Sequence, residues 1–583
     1  MPRKTVASGF SRKGAKSTVA SRVSGKGVTW RAAVIALVVA ATYANSVSGP
    51  FLFDDENSIV GNASIRQINA SLSPPRDTPV AGRPLVNLTF ALNYRAGGLD
   101  VRGYHVVNIA IHIAAALVLF GIVRRTLLLP SLAHGFGPAS ANLAMAAALI
   151  WAVHPVQSEA VNYLSERTES LMGLCYLLTL YLSVRGLRVA AIVACAAGMA
   201  CKESMVTAPV AVVLYDRVFV FDSLRDAFRA RGSLYAGLAA SWLVLVALML
   251  QTPRTSIGFD AGTSVWVYLL NQAELVARYL WLTIWPRSLV LDYGLPRPLA
   301  LGDVVVPAAI VVSLIAATVV ALRYAPMPGF LGAWFFLTLA PTSSFVPIAT
   351  EVGAERRMYL AVAAVAVGAA IGLYRMLNQR FTVATAVICL LLGAGTIARN
   401  EEYGSRLTMA RTIVDRRPHG RAHFLLGSEL IAAGRQEEAM AQLRLSARDY
   451  PGANFALGTE LLGAGRIEEG IAELQTFLRA LPVHPNAAPA RDMLGQAYLS
   501  QQKFAEAEEQ FRYLHEKIPS YRGARNDVLR NFGYALAASG RLLEAIPVLE
   551  RAVEFNPQDG AARDLLSRVR AAARTPPLTN DRN

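Results

Sequence analysis

Residues 101–125 read VRGYHVVNIAIHIAAALVLFGIVRR. From His105 to Val123 the run is mostly apolar and long enough, at 1.5 Å per residue, to approach the ~20-residue requirement of a bilayer core. It opens on Tyr104, His105, Asn108 and His112 and closes on Arg124 and Arg125. One end therefore carries hydrogen-bonding side chains at membrane depth, and the other is closed by cations. Ten further stretches continue the same pattern: 32–48, 137–153, 169–184, 189–201, 204–220, 234–250, 304–322, 329–346, 359–374 and 382–398. The segment 264–285 is apolar but carries Asn271, Gln272, Glu274 and Arg278. It is expected to lie along the membrane surface.

Charge orients these spans. With the N-terminus inside, the inner loops hold Arg124 and Arg125; Arg185 and Arg188; Arg217, Arg225, Arg229 and Arg231; Arg323; and Arg375 and Arg380. Each is basic, as orientation by cytoplasmic Lys and Arg requires. The outer segments are then 49–104, 154–168, 251–303, 347–358 and the tail from 400. Residues 1–31 hold eight Lys or Arg and no acid, the first acid being Asp54. An arm that runs directly into an apolar span reads as a cytoplasmic anchor and not as a nucleic-acid arm. Over 583 residues the chain is 54% hydrophobic and 17% charged, with net charge +16 and mean hydropathy +0.36. A soluble domain carries about 25% charged residues, so a membrane part is joined to a soluble one. The four cysteines, Cys175, Cys195, Cys201 and Cys389, all lie in apolar stretches, which leaves the tail without a disulfide framework or zinc site.

The tail repeats. Gly427, Gly458, Gly495 and Gly533 recur at one position, and Gly434-Arg435, Gly465-Arg466, Gln502-Lys503 and Gly540-Arg541 at the next. Ala439, Gly470, Ala507 and Ala545 follow, then Pro451, Pro482, Pro519 and Pro557. Spacing around 34 residues with small residues where paired helices meet is the tetratricopeptide (TPR) pattern. The fold class is all-α, a polytopic transmembrane bundle of about 11 spans followed by a TPR solenoid. The expected organisation is a basic arm (1–31), a membrane domain (32–399), a linker (400–419), a TPR array of about four repeats plus an end helix (420–573) and a disordered tail (574–583).

Chemistry is expected in the outer loops. Asp54 and Asp55 follow the first span. Arg83 falls in the same first outer segment, and His154, Glu159, Arg167, Glu169, Lys202, Glu203, Glu355, Arg356 and Tyr359 fall in or beside later ones. Ionisable residues at membrane depth are costly and are functional by default, although a pair such as Lys202 and Glu203 also has a purely structural reading. Arg and Lys suit an anionic phosphate; Asp and Glu suit proton removal from a hydroxyl.

These residues, in order and spacing, resemble the GT-C superfamily of polytopic glycosyltransferases, above all the transmembrane and TPR-containing O-mannosyltransferases and their bacterial relatives. The resemblance is carried by Phe51 to Asp55, Arg83-Pro84-Leu85, His105 to Asn108, His112, His154-Pro155, Glu159-Ala160-Val161, Arg167 with Leu171, Lys202-Glu203, Pro286 with Leu289 and Asp292, and Glu355-Arg356 with Tyr359. One segment departs. Where the family usually reads Gly-Arg-Ala-(Asp or Glu)-Leu-Leu, this chain has Glu166-Arg167-Thr168-Glu169-Ser170-Leu171.

The resemblance implies a sugar donor, with mannose expected, linked by phosphate to a polyprenyl lipid. It implies a protein Ser or Thr hydroxyl as acceptor on the outer face, an Asp54/Asp55 base and inversion at the anomeric carbon. The other residues named above would bind the donor phosphate and sugar, with Arg167 and Lys202 on the phosphate and Arg356 as a further candidate. The TPRs would recruit the acceptor protein, and the chain would be a multi-pass protein of a bacterial inner membrane with its TPRs periplasmic. The identity of the sugar and acceptor, and any divalent metal, stay open at this level. A membrane scaffold displaying TPRs to partners is the alternative, but it has no need of acids in four outer loops. Asn-x-Ser/Thr sequons stand at Asn62, Asn69 and Asn87. Reporter fusions after residues 20, 130 and 225 should read as cytoplasmic and a fusion after 400 as external; a cytoplasmic signal from the last would overturn this topology.

Overall fold

The computed structural model describes residues 25–76, 78–252, 258–259, 262–518, 521 and 526–574. Most of the basic arm, Pro519 and nearly all of the expected tail lie outside these residues. Among the described residues the chain forms helices and no strand, in two compact units, 1–412 and 413–583.

Counting helices of ten residues or more, the first unit holds α1 (Gly25–Tyr43), α2 (Pro84–Gly97), α3 (Val101–Leu127), α4 (Ser140–Ala152), α5 (Arg167–Val184), α6 (Arg188–Met199), α7 (Ala208–Phe219), α8 (Leu224–Ala240), α9 (Trp242–Gln251), α10 (Val265–Ile284), α11 (Leu301–Tyr324), α12 (Pro326–Leu339), α13 (Ala361–Leu377) and α14 (Phe381–Glu402). Six segments among the described residues are long and apolar enough to cross a membrane: Val28–Ser46, Val101–Leu127, Pro130–Ala152, Leu224–Gln251, Leu301–Tyr324 and Ala361–Glu402. The apolar helices α6 and α12 are shorter. The stretch expected to span 329–346 stops being helical at Leu339, beyond which Thr342 and Ser343 turn the chain back by donating to the Leu339 carbonyl.

Burial is the inverse of a water-soluble bundle. On α11 Val305, Val306, Ile310, Val312, Ile315, Val319 and Val320 are all exposed, an apolar surface that lipid solvates and water does not. On α10 the buried face carries Asn271 and Gln272, while Trp266, Trp281, Ile284 and the following Trp285 face outward. Tryptophans on an outward apolar face suit the membrane–water interface.

In the second unit the helix pairs are α16 (Gly420–Ala432) with α17 (Gln436–Ser446), α18 (Ala453–Gly463) with α19 (Ile467–Ala480), α20 (Ala487–Ser500) with α21 (Phe504–Lys517), and α22 (Asn526–Ala538) with α23 (Leu542–Phe555). They follow α15 (Arg406–Arg416) and end on α24 (Gly560–Arg574), whose Ala562, Leu566 and Val569 are buried. The recurring glycine is required by close approach. A Cβ at Gly495 would stand 2.5 Å from Phe511, and one at Gly533 would stand 2.4 Å from Leu549. Ala439, Ala507 and Ala545 are fully buried on the second helices.

At the turn between paired helices the backbone is left-handed, with φ of +71° at Gly434, +76° at Gly465 and +81° at Gly540. The third repeat has Gln502 there, at φ +59°. A side chain in that region costs about 1–2 kcal/mol, part of which the greater freedom of unfolded glycine would cancel. Gln502→Gly should therefore stabilise the array by up to about 1 kcal/mol, read as a higher denaturation midpoint; a lower midpoint would contradict this account.

Candidate functional site

The Phe51–Glu56 segment makes a tight turn after the first apolar helix. Phe53 sits at φ +33°, a conformation rare for a non-glycine residue and held only where neighbours over-determine it. Asp55 does the holding. It is fully buried; one carboxylate oxygen accepts the Leu52 N–H at 2.9 Å and the other the Ser165 N–H at 2.6 Å. Burial pushes this carboxyl up to about 7, with the two backbone N–H groups working the other way. The Asp54 N–H donates to the Tyr163 hydroxyl at 2.9 Å, so the turn is stapled twice to the 163–165 loop.

Asp54 itself keeps an exposed side chain. It stands in a recess, with protein crowded around an accessible carboxylate. That crowding comes first, then the negative charge of Glu166; together they hold its pKa above the ordinary aspartate value, against Arg356 and Tyr163. Of the two adjacent acids, the buried one shapes the backbone and the accessible one faces the charged groups.

Those groups form a cluster of ion pairs, Arg83 with Glu203 as one pair and the rest joined through Glu166 and Glu351. Arg83 meets Glu203 at 3.0 Å, and Lys202 meets Glu169 at 2.8 Å and Glu166 at 3.5 Å. Arg356 binds Glu166 through Nε at 3.1 Å, Glu351 at 2.6 Å, and Glu159. The Arg356 N–H also donates to Glu159 at 2.9 Å, and Arg357 reaches Glu351 at 3.3 Å. Burial raises the Glu159 carboxyl to about 7 despite Arg356. At Glu166 burial acts in the same direction but is outweighed by Arg356, Lys202 and Arg83, which hold its carboxyl down to about 2. Among the described residues the buried Arg83 Nε has no hydrogen-bond partner. Among the described residues no group of three or more His, Cys, Asp and Glu is arranged to hold a metal ion.

The structure thus brings together Asp54, Arg83, Glu159, Glu169, Lys202, Glu203 and Arg356. It adds Glu351, an acid five residues before Arg356 whose part depends on a loop folding back and which no motif distinguishes.

Four expected site residues are not brought into this cluster. Arg167 is completely buried. It donates to Asn108 at 2.6 Å, Asn93 at 2.7 Å, Thr89 at 3.2 Å and the Tyr104 carbonyl at 3.0 Å, over the Phe90 ring. Four of its five N–H donors are spent on joining α2, α3 and α5. His154 caps a short helical turn, accepting the Val156 N–H at Nδ1 while Nε2 faces the Thr283 carbonyl at 3.2 Å. Glu355 accepts from the Val290 N–H at 2.6 Å and the Tyr293 hydroxyl at 3.0 Å. The Tyr359 hydroxyl meets Nδ1 of His112 at 2.9 Å, inside the helix bundle. Each is buried and committed to protein. Of the sequons, Asn62 and Asn87 are buried and bonded to each other at 2.9 Å, whereas Asn69 is exposed.

This arrangement, an accessible acid beside buried cations at the mouth of a lipid-solvated bundle, can be set beside known proteins. The Tetratricopeptide repeat family model matches residues 455–522 and 493–560. A Protein O-mannosyl-transferase Tmtc1 of Drosophila melanogaster is 28% identical over 297 residues, covering 43% of this chain and 33% of the relative. The Drosophila Protein O-mannosyl-transferase Tmtc2 is 30% identical over 297 residues, 45% of this chain and 30% of its own length. The chain resembles the transmembrane and TPR-containing O-mannosyltransferases. It spans about a third of the length of these curated relatives. A solved chain from the crystal structure of APC/C hetero-tetramer Cut9-Hcn1 aligns with 84% of this chain and 98% of its own, at 13% identity and a TM-score of 0.24, and carries no conclusion.

Removing Arg167 should act on stability and not on ligand affinity. Arg167→Met leaves Asn108, Asn93 and the Tyr104 carbonyl unsatisfied, at about 1–3 kcal/mol for each buried group. Thermal unfolding in detergent should fall by several degrees, while the folded fraction binds a polyprenyl phosphate as wild type does; unchanged Tm with lost binding would return Arg167 to the site.

Proposed function

We propose that this chain is a membrane glycosyltransferase. It transfers a sugar, mannose by analogy with the relatives' names, from a polyprenyl-phosphate donor to a Ser or Thr hydroxyl of a protein on the outer membrane face. The observation that carries this reading is the accessible Asp54 carboxylate, held above its usual pKa and facing the ion-pair cluster of Arg356, Lys202 and Arg83. An acceptor hydroxyl is a poor nucleophile until a base takes its proton in the transition state. Asp54 takes that proton, the oxygen bonds to the anomeric carbon from the face opposite the phosphate, and the carbon–phosphate-oxygen bond breaks with inversion. The departing lipid phosphate collects negative charge, which buried Arg and Lys side chains stabilise. Asp55 acts through the backbone by setting the turn that presents Asp54. The TPR array recruits the acceptor protein, a role its fold permits without naming the ligand.

Asn substitution separates the two acids. Asp54→Asn keeps the shape but cannot accept the proton, and should lose transfer by on the order of 10²-fold or more with unaltered thermal stability. Asp55→Asn can accept only one of its two backbone N–H groups; it should lower thermal stability and reduce transfer less. The wild-type rate should rise with pH through a pKa above that of an ordinary aspartate, since Asp54 works deprotonated and its carboxyl is raised. Near wild-type transfer by Asp54→Asn, assayed with a lipid-linked sugar and an acceptor peptide, would end this reading.

A further inference from the structure

The ion-pair cluster contains one carboxylate more than its cations require. Arg83 has Glu203, Lys202 has Glu169, Arg356 has Glu159 and Arg357 has Glu351. Every one of these cations is neutralised without Glu166. Yet one oxygen of Glu166, on a side chain about 6% exposed, lies 3.1 Å from Arg356 Nε, 3.5 Å from Lys202 Nζ and 3.1 Å from the Thr168 hydroxyl, which donates to it. Arg83 is close enough to stabilise the same charge. A single buried anionic oxygen ringed by a guanidinium, an ammonium and a hydroxyl has the coordination a phosphate oxygen takes in a protein site.

The two residues that build this arrangement are among the three by which the segment departs from the pattern it resembles, Ser170 being the third. Glu166 and Thr168 stand where that pattern has glycine and alanine, and they bond to each other. Neither change is needed for local geometry. Glu166 has an ordinary backbone, φ −79° and ψ +12°, so glycine's freedom is not called for there.

Resting on the reading of the site as a donor-phosphate site, we propose that Glu166 is a built-in occupant of the phosphate position: a carboxylate that lies between Arg356 and Lys202 in the empty protein and must be displaced when the lipid phosphate binds. The side chain belongs to the short turn ahead of α5, and its release leaves each cation with a remaining carboxylate partner, so the ring does not collapse when it leaves. This chain therefore binds its donor more weakly than the cations alone would allow, and exchanges it more readily.

The sign of one measurement decides the matter. Full-length protein in phosphatidylcholine nanodiscs is titrated with polyprenyl monophosphate and, separately, with the uncharged polyprenol. Glu166→Gln, which keeps the shape, and Glu166→Gly, which empties the position, should each bind the phosphate about tenfold more tightly or better, because a like charge facing the ligand opposes its binding. Polyprenol binding should not change. Lys202→Met should weaken phosphate binding. In transfer assays the donor KM should fall in both Glu166 variants, a gain that a structural defect does not produce. If wild type binds the phosphate and Lys202→Met weakens it, while both Glu166 variants bind equally or less well, Glu166 is not an occupant and the donor-site reading stands. If neither wild type nor any variant prefers the phosphate over the alcohol, the donor-site reading falls and takes this inference with it.

Discussion

A guanidinium buried at the edge of a membrane has to be neutralised by the protein itself, and Arg356 draws carboxylates from two separate loops to do so. Glu159 and Glu166 come from the segment after α4, and Glu351 from the segment before α13. These loops are far apart in sequence, and the attraction between unlike charges in a poorly screened environment brings them to one place. Asp54 joins them because Asp55 and Tyr163 tie its turn to the 163–165 loop. Without Arg356 the three acids would repel one another and these loops would lose their common anchor.

Arg167 offers the contrast within the same fold. Arg167 is buried and Arg356 partly so, but Arg356 is ringed by carboxylates and Arg167 by neutral amides, a hydroxyl and a carbonyl. A neutral shell leaves no charge to exchange with a ligand; it uses the planar fork of donors to fix three helices at set positions. An ion-paired shell can trade one anion for another. The distinction between a structural and a functional cation is thus a property of the partners and not of the residue type.

The same logic separates the two aspartates. Asp55 accepts two backbone N–H groups and sustains a strained residue at Phe53. Strain of this kind persists only where the surroundings repay it, and here its effect is to turn the neighbouring carboxylate outward, toward the charged groups.

The amino-acid sequence by itself determined the kind of protein this is. Helix length, apolar composition and the 34-residue recurrence of small residues are local properties, and the helices and TPR hairpins follow from them. That these acids and bases fall in the segments between apolar helices was legible as well, since a long apolar run excludes them. Partnership was not legible. Arg167 sits in a motif beside Glu166 and Glu169, yet it turns to Asn93 and Asn108. Glu351 sits in no motif, yet it holds Arg356 and Arg357. A helix turns successive side chains by about 100°, so neighbours in sequence face different surroundings. Which of them meets a charge, an amide or open solvent was decided only when the helices packed, because burial and the Coulomb interaction depend on distance through space and not along the chain.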